Sequence, residues 1–261
     1  MSKFTHFYII RIEFLGFRYH GWQKQMKLKT IQGMVDKTVE FIIGDSDFRT
    51  LGCGRTDARV SADDFVLELF LKEPIFLDAF LDLFNDNLPS DIRAKSVKET
   101  NAEFNIIQHA KTKEYHYYFS FGNKPHPFSA PLITDLGKAL DIQTMMDFAS
   151  IFKGMHNFRR FTADAKAEKS FIREILEIEI SKSNRFSAST DPENTYVLKI
   201  KSKGFLRYQI RLIMGGLELL GKGKLTKVDL LDYLFNSEGE AMNNIVPGSG
   251  LLLHKVDFEE F

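Results

Sequence analysis

The sequence predicts an α+β protein made of two sheet-and-helix halves. Three observations carry this reading. The first hundred residues alternate strand-like and amphipathic helical stretches in the order β, α, β, β, α, β, which suits a sheet with helices on one face. A second strand-rich stretch with its own amphipathic helices follows a boundary near 105–110 and contains a long loop rich in Gly, Pro, Ser and Asn at 122–135. The 261 residues, 44% hydrophobic and 27% charged, suffice for two domains of ordinary size. We expect halves of 1–108 and 109–261.

Residues 4–17 alternate and contain Arg11 and Glu13, so they read as a strand and not as a signal peptide. Tyr19-His20-Gly21-Trp22-Gln23-Lys24-Gln25 is a polar, aromatic loop carrying the only tryptophan. Its rings and amides suit stacking and hydrogen bonding to unpaired bases; the other reading is a tryptophan closing one end of the core. Thr30 is placed to cap a helix over 31–43, with Ile31, Met34, Val35, Val39 and Ile42 on one stripe and Gly44 as its stop. Strands at 48–52 and 64–71 flank a glycine-rich loop. A second helix begins near Pro74, carries Phe76, Leu77, Phe80, Leu81 and Phe84, and ends between Asn85 and Pro89. A strand then runs to about Glu99.

In the second half, alternation over 113–119 puts Tyr115, Tyr117 and Phe119 on one strand face and His116 and Tyr118 on the other. A helix follows at 141–155, then strands at 173–180 and 196–202. Gly204 to Leu217 opens a helix reaching about Leu220, with Ile210, Ile213, Met214, Leu217 and Leu220 as its core stripe. Arg211 adjoins that stripe and needs an anion, because an unpaired buried charge is expensive. Thr226 caps a last helix to about Phe235, and Pro247 to Leu253 leads into a final strand.

Net charge is zero, so any nucleic-acid surface must be local. Between Lys199 and Lys227 there are eight basic residues against one acidic residue, Glu218. That balance suits a phosphate-bearing partner, or a solvated helix face. The single Cys53 excludes an internal disulfide and fits a reducing, cytoplasmic setting. Apolar runs are short and broken by charge, so no membrane span is expected. Gly221-Lys222-Gly223-Lys224 lacks the spacing of a nucleotide phosphate loop, and no histidine cluster has metal-ligand spacing.

The chemistry centres on Gly52-Cys53-Gly54-Arg55-Thr56-Asp57-Ala58-Arg59. The glycines permit a tight turn or close approach to a ligand. Asp57, between Arg55 and Arg59, is expected to stay ionised and can act as nucleophile or general base. On spacing alone, a solvated surface hairpin accounts for the same residues.

This loop resembles the Gly-Arg-Thr-Asp-Ala signature of the TruA family of tRNA pseudouridine synthases. The family continues Gly-Val-His-Ala where this chain has Arg59-Val60-Ser61-Ala62. Further blocks are similar in order: Tyr19 to Gln25, Thr30 to Gly33, Leu88 to Arg93, Lys113 to Tyr117, Gly154 to Phe161, Gly204 to Gly215 and Pro247 to Leu253. Ile107 stands where the family has the arginine of Phe-x-x-Arg.

The resemblance implies a pseudouridine synthase fold, in which two α+β halves join a mixed or antiparallel sheet across a basic cleft. It implies isomerisation of tRNA uridine, usually at positions 38–40 of the anticodon stem-loop, by a homodimer without metal or cofactor. It assigns Asp57 as nucleophile, Tyr115 as the residue that stacks on the uracil, and Arg211 as the partner of Asp57. Arg55 is assigned to the gap left by the flipped base. Tyr19, Trp22, Gln23, Gln25, Lys113, Arg207, Lys222 and Lys224 are the expected RNA contacts. Two other readings compete. One is a non-catalytic or retargeted RNA-binding paralogue, suggested by Arg59, Ser61 and Ile107. The other is an aspartate-based hydrolase of a small phosphorylated substrate.

Overall fold

A computed structural model describes residues 4–163, 170–185 and 194–258. The chain divides into two compact units, one of Met1–Lys111 with Leu253–Phe261, the other of Thr112–Leu252. Among the described residues it is α+β, with ten strands and five α-helices. No helix among them is long and apolar enough to cross a membrane.

The first unit holds β1 (His6–Phe14), α1 (Ile31–Ile43), β2 (Arg49–Gly52), β3 (Ser61–Leu71), α2 (Leu77–Asn87) and β4 (Ile92–Thr100). β1 lies between β3 and β4, antiparallel to both, and β2 pairs with β3. Alternation buries Ile10 and Ile12 of β1 and Phe65, Leu67 and Leu69 of β3. Helix α1 begins where the Thr30 hydroxyl accepts a hydrogen bond from the Gly33 N–H, and ends at Gly44, φ 69°. Its Ile31, Val35 and Val39 are buried, as are Phe80 and Phe84 of α2.

Glu68 interrupts the apolar run of β3 from Phe65 to Leu71. Its carboxyl is 1% exposed, accepts from the Ile106 backbone and leaves Oε1 without a partner. Burial pushes its pKa up to about 7, against the opposing pull of the Ile106 N–H and the Arg49 charge. The folded chain therefore holds this proton more tightly than the unfolded chain does. Stability is expected to fall as pH rises from the ordinary carboxylate range through 7, by up to ~3 kcal/mol. Denaturation of Glu68→Gln should lack this slope, and an unchanged slope would refute the assignment.

The second unit holds most of β5 (Ala110–Ser120), then β6 (Thr134–Asp135), α3 (Ile142–Ala149), β7 (Gly154–Asn157), β8 (Ile172–Lys182), β9 (Thr195–Ser202), α4 (Gln209–Gly221) and α5 (Lys227–Phe235). The last strand, β10 (Leu251–Phe258), belongs mostly to the first unit, where it lies beside β3. The second unit's strands run β5, β9, β8, β7, all antiparallel, with β6 parallel to β5. The apolar stripe Ile210, Ile213, Met214, Leu217 and Leu220 of α4 is buried as expected.

Three expectations are corrected here. Helix α3 stops at Ala149 and passes into a short 3-10 turn over Ser150–Phe152. Residues Gly154–Asn157, of which the first two fall in the expected helix, form β7 by pairing with β8. Helix α4 starts at Gln209 and not near Gly204, because Tyr208 takes a left-handed conformation (φ 63°) and the Gln209 side chain accepts from the Leu206 N–H. The buried Arg160 was not expected either. It donates to the Glu240 carbonyl (2.8 Å) and to Asp232 (2.8 Å), and lies 4.1 Å from the Tyr233 ring centroid, tying residues 232–240 to its own turn.

Candidate active site

In the first unit, β2 ends at Gly52 and β3 starts at Ser61, so residues 53–60 form the connection that carries Asp57. Its backbone is held from both sides. The Cys53 N–H donates to the Val66 carbonyl (2.9 Å), the Trp22 N–H to Thr56 (3.2 Å) and the Arg59 N–H to Tyr19 (3.0 Å). Within the loop the Val60 N–H donates to the Asp57 carbonyl (3.2 Å). Asp57 is half-buried, and Arg55 and Arg59 beside it are exposed. Ser61, one of the departures from the family signature, is buried, and its hydroxyl accepts from the Gly16 N–H (2.9 Å).

The aromatic segment supports this loop from the core. Trp22 is 2% exposed and stacks on Phe65, with ring centroids 4.2 Å apart. Tyr19 is also buried, and its hydroxyl donates to Asp91 (2.6 Å), which Arg18 also binds. Burial, then the hydrogen bond to Asp91, pushes the Tyr19 hydroxyl pKa up. Asp91 is raised by burial, but the bonds from Tyr19 and Arg18 outweigh this and hold it below the usual carboxylate range. Both rings, expected as RNA contacts, are thus packed beneath the loop. Gln23 donates to the Gln32 side chain (2.9 Å), which itself donates to the Thr50 carbonyl (3.2 Å). Gln25 is exposed and reaches the His20 carbonyl at 3.4 Å.

In the second unit, Tyr115 on β5 is half-buried and meets Phe205 edge-on, with centroids 5.4 Å apart. Lys113 lies two residues earlier, on the same strand face. Arg211 donates through Nε to the Val246 carbonyl (2.8 Å), and its guanidinium lies 4.6 Å from the Tyr208 ring centroid. Arg207 lies 5.2 Å from the same ring, so Tyr208 is in reach of two of the expected site arginines.

The Pro247 turn before β10 is tied to β5. Tyr117, fully buried, bonds both the Pro247 carbonyl (2.9 Å) and the Thr134 hydroxyl (3.0 Å). A carbonyl only accepts, so the Tyr117 proton goes to Pro247, and Thr134 donates to the phenol oxygen. Burial pushes the Tyr117 pKa upward. Tyr117→Phe leaves the Pro247 carbonyl without its donor and is expected to cost about 1–3 kcal/mol in chemical denaturation. A loss below a few tenths would show that the bond contributes nothing net.

The basic stretch of 199–227 is less positive in space than in sequence. Lys199 pairs with Glu179 (2.9 Å), Lys201 faces Glu114 and Glu177 across the ladders, and Lys222 pairs with Glu218 (2.5 Å). Lys224 and Arg207 remain exposed. The first unit carries a basic surface that sequence reading passed over. Arg18, His20, Lys24, Lys27 and Lys29 are exposed within 15–34, a span with no acidic residue, although Arg18 pairs with Asp91 and Lys24 with Asp36 from outside it. Counting charge over that loop would have found it.

Comparison with known proteins covers both units. A family model for tRNA pseudouridine synthase matches residues 148–259, the part that contains Arg211. The tRNA pseudouridine synthase A of Ruminiclostridium cellulolyticum is 30% identical over 249 residues, spanning 95% of this chain and 97% of that protein. Those of Clostridium botulinum and Aquifex aeolicus are 30% and 28% identical, over 94% and 95% of this chain and 96% and 98% of theirs. With relatives matched from end to end, the chain belongs to the TruA family of tRNA pseudouridine synthases, enzymes that isomerise uridine to pseudouridine in tRNA.

Proposed function

We propose that this enzyme acts on uridines at positions 38–40 of the tRNA anticodon stem-loop, with Asp57 as the catalytic carboxylate. The observation that carries the reading is the Asp57 loop itself, whose backbone is pinned to the Tyr19–Trp22 segment while the carboxylate-bearing residue stays only half-buried. A carboxylate on so fixed a loop suits nucleophilic attack.

The reaction rearranges bonds within one nucleotide. The C1′–N1 bond breaks, the uracil turns, and C1′ bonds to C5. The C5 proton leaves and N1 gains one, so the net change is zero and no cofactor is consumed. The uridine must first leave the stack, at a cost of a few kcal/mol. Arg55 fills or steadies the gap. Asp57 drives glycosidic cleavage by attack on sugar or base, and both routes require it ionised. Tyr115 stacks on the uracil and is the candidate acceptor of the C5 proton. The family resemblance gives Arg211 the task of keeping the catalytic carboxylate ionised and aimed. Lys113, Arg207, Lys222 and Lys224 hold phosphates, and Gln23 and Gln25 meet the RNA at the loop edge. The enzyme works as a cytoplasmic homodimer.

The test is tritium release from tRNA labelled at uracil C5. Release is expected from wild-type tRNA, and none from tRNA carrying cytidine at 38–40. Release that persists from the cytidine-substituted tRNA would overturn the target. Binding without release from any tRNA would favour the non-catalytic paralogue.

A further inference from the structure

Arg59 occupies a backbone position that suits glycine. Its φ of 68° lies in the left-handed region, where a side chain meets the backbone unfavourably. Its N–H is fixed on the Tyr19 carbonyl (3.0 Å), and the next residue closes a turn onto Asp57. The Cα is therefore fixed, and with it the direction in which the side chain leaves the loop. The guanidinium rests 5.5 Å from the Phe17 ring centroid. Such a shelf holds one face of the guanidinium and leaves its N–H edge outward.

The charge of Arg59 is not spent within the fold. Elsewhere in the first unit Arg18 is paired with Asp91, Lys24 with Asp36, Lys72 with Asp47 and Arg93 with Glu13. Arg59 is exposed and has no ion-pair partner among the described residues. It is two residues from Asp57, and the loop it contacts through Tyr19 belongs to the acid-free span 15–34. A strained backbone, an aromatic shelf and an unpaired planar cation beside the reacting residue fit a phosphate better than solvent.

We propose that Arg59 binds a backbone phosphate of the RNA strand that carries the target uridine. The contact is independent of base sequence and adds affinity and register. It rests on the reading of Asp57 as the catalytic carboxylate only for its place beside the target. Its effect on binding can be measured without turnover.

The experiment compares wild type, Arg59→Gly and Arg59→Lys. It follows KM and kcat by tritium release, direct tRNA binding across salt concentrations, and Tm. Glycine adopts φ 68° freely, so Arg59→Gly is expected to keep or raise Tm while KM rises about tenfold and kcat stays within about twofold. The slope of log affinity against log salt should fall by about one phosphate contact. Arg59→Lys should recover the salt slope and part of the affinity, because it keeps the charge but not the forked geometry. An unchanged salt slope, or a loss in kcat with KM intact, overturns the proposal. If wild type releases no tritium from any tRNA, the catalytic reading fails instead, and the binding arm still decides the role of Arg59.

Discussion

Asp57→Asn is expected to lower kcat for tritium release by about four orders of magnitude or more, with tRNA affinity within a few-fold of wild type. The substitution keeps the side-chain volume and removes the charge. A neutral amide is a poor nucleophile and a poor base, so the loss falls on the chemical step. The loop does not depend on the carboxylate for its shape. Backbone groups hold it, from Trp22 to Thr56, from Arg59 to Tyr19, and from Val60 to Asp57. RNA affinity comes mainly from phosphate contacts, which Asn leaves in place. Asp57→Ala should behave alike and guards against slow conversion of Asn to Asp. Turnover above about a hundredth of wild type in both variants would remove Asp57 from the chemistry. Lost binding in both would instead mean that the carboxylate shapes the RNA surface.

Helix α1 was legible residue for residue because both its signals are local: a threonine that caps and a glycine that stops it. The same holds for α5, where Thr226 and Asp229 form a reciprocal capping box. Strand β7 was not legible, because four residues acquire their strand character only from β8, about fifteen residues away. The start of α4 was misjudged for a similar reason. The residues from Gly204 onward have helical composition, but a left-handed Tyr208 interrupts them. At the site, motif residues were legible as a set, and their burial was not. Trp22 reads as stacking platform or core, with the family resemblance favouring an RNA contact, and its packing on Phe65 places the ring in the core. The burial of Glu68 has no local signal, because it depends on a backbone contact with Ile106, nearly forty residues away. The basic run of 199–227 misled because strand pairing brings glutamates from β5 and β8 against its lysines, a fact with no local trace.

Gly21→Ala is expected to cost about 2–4 kcal/mol in stability and about a hundredfold in kcat, even at temperatures where the variant is folded. Two costs combine at this position. Gly21 has φ 86°, which alanine adopts at roughly 1–2 kcal/mol. A Cβ there would also overlap the Thr56 carbonyl oxygen and lie 3.0 Å from the Asp57 carbonyl carbon. These are backbone atoms of the 53–60 loop, so relieving the strain is expected to shift Asp57 relative to the segment that holds it. A displacement of about 1 Å in a reacting group is enough for a hundredfold loss. Gly44→Ala separates the two costs. Gly44 has φ 69° and caps α1, and a Cβ added to it would meet nothing within 4 Å. Alanine there should cost about 1 kcal/mol and leave kcat alone. The difference between the two variants measures how tightly the aromatic segment seats the loop. If Gly21→Ala matched Gly44→Ala in both stability and kcat, the seat would be loose, and the position of Asp57 would have to be fixed by something other than the Tyr19–Trp22 segment.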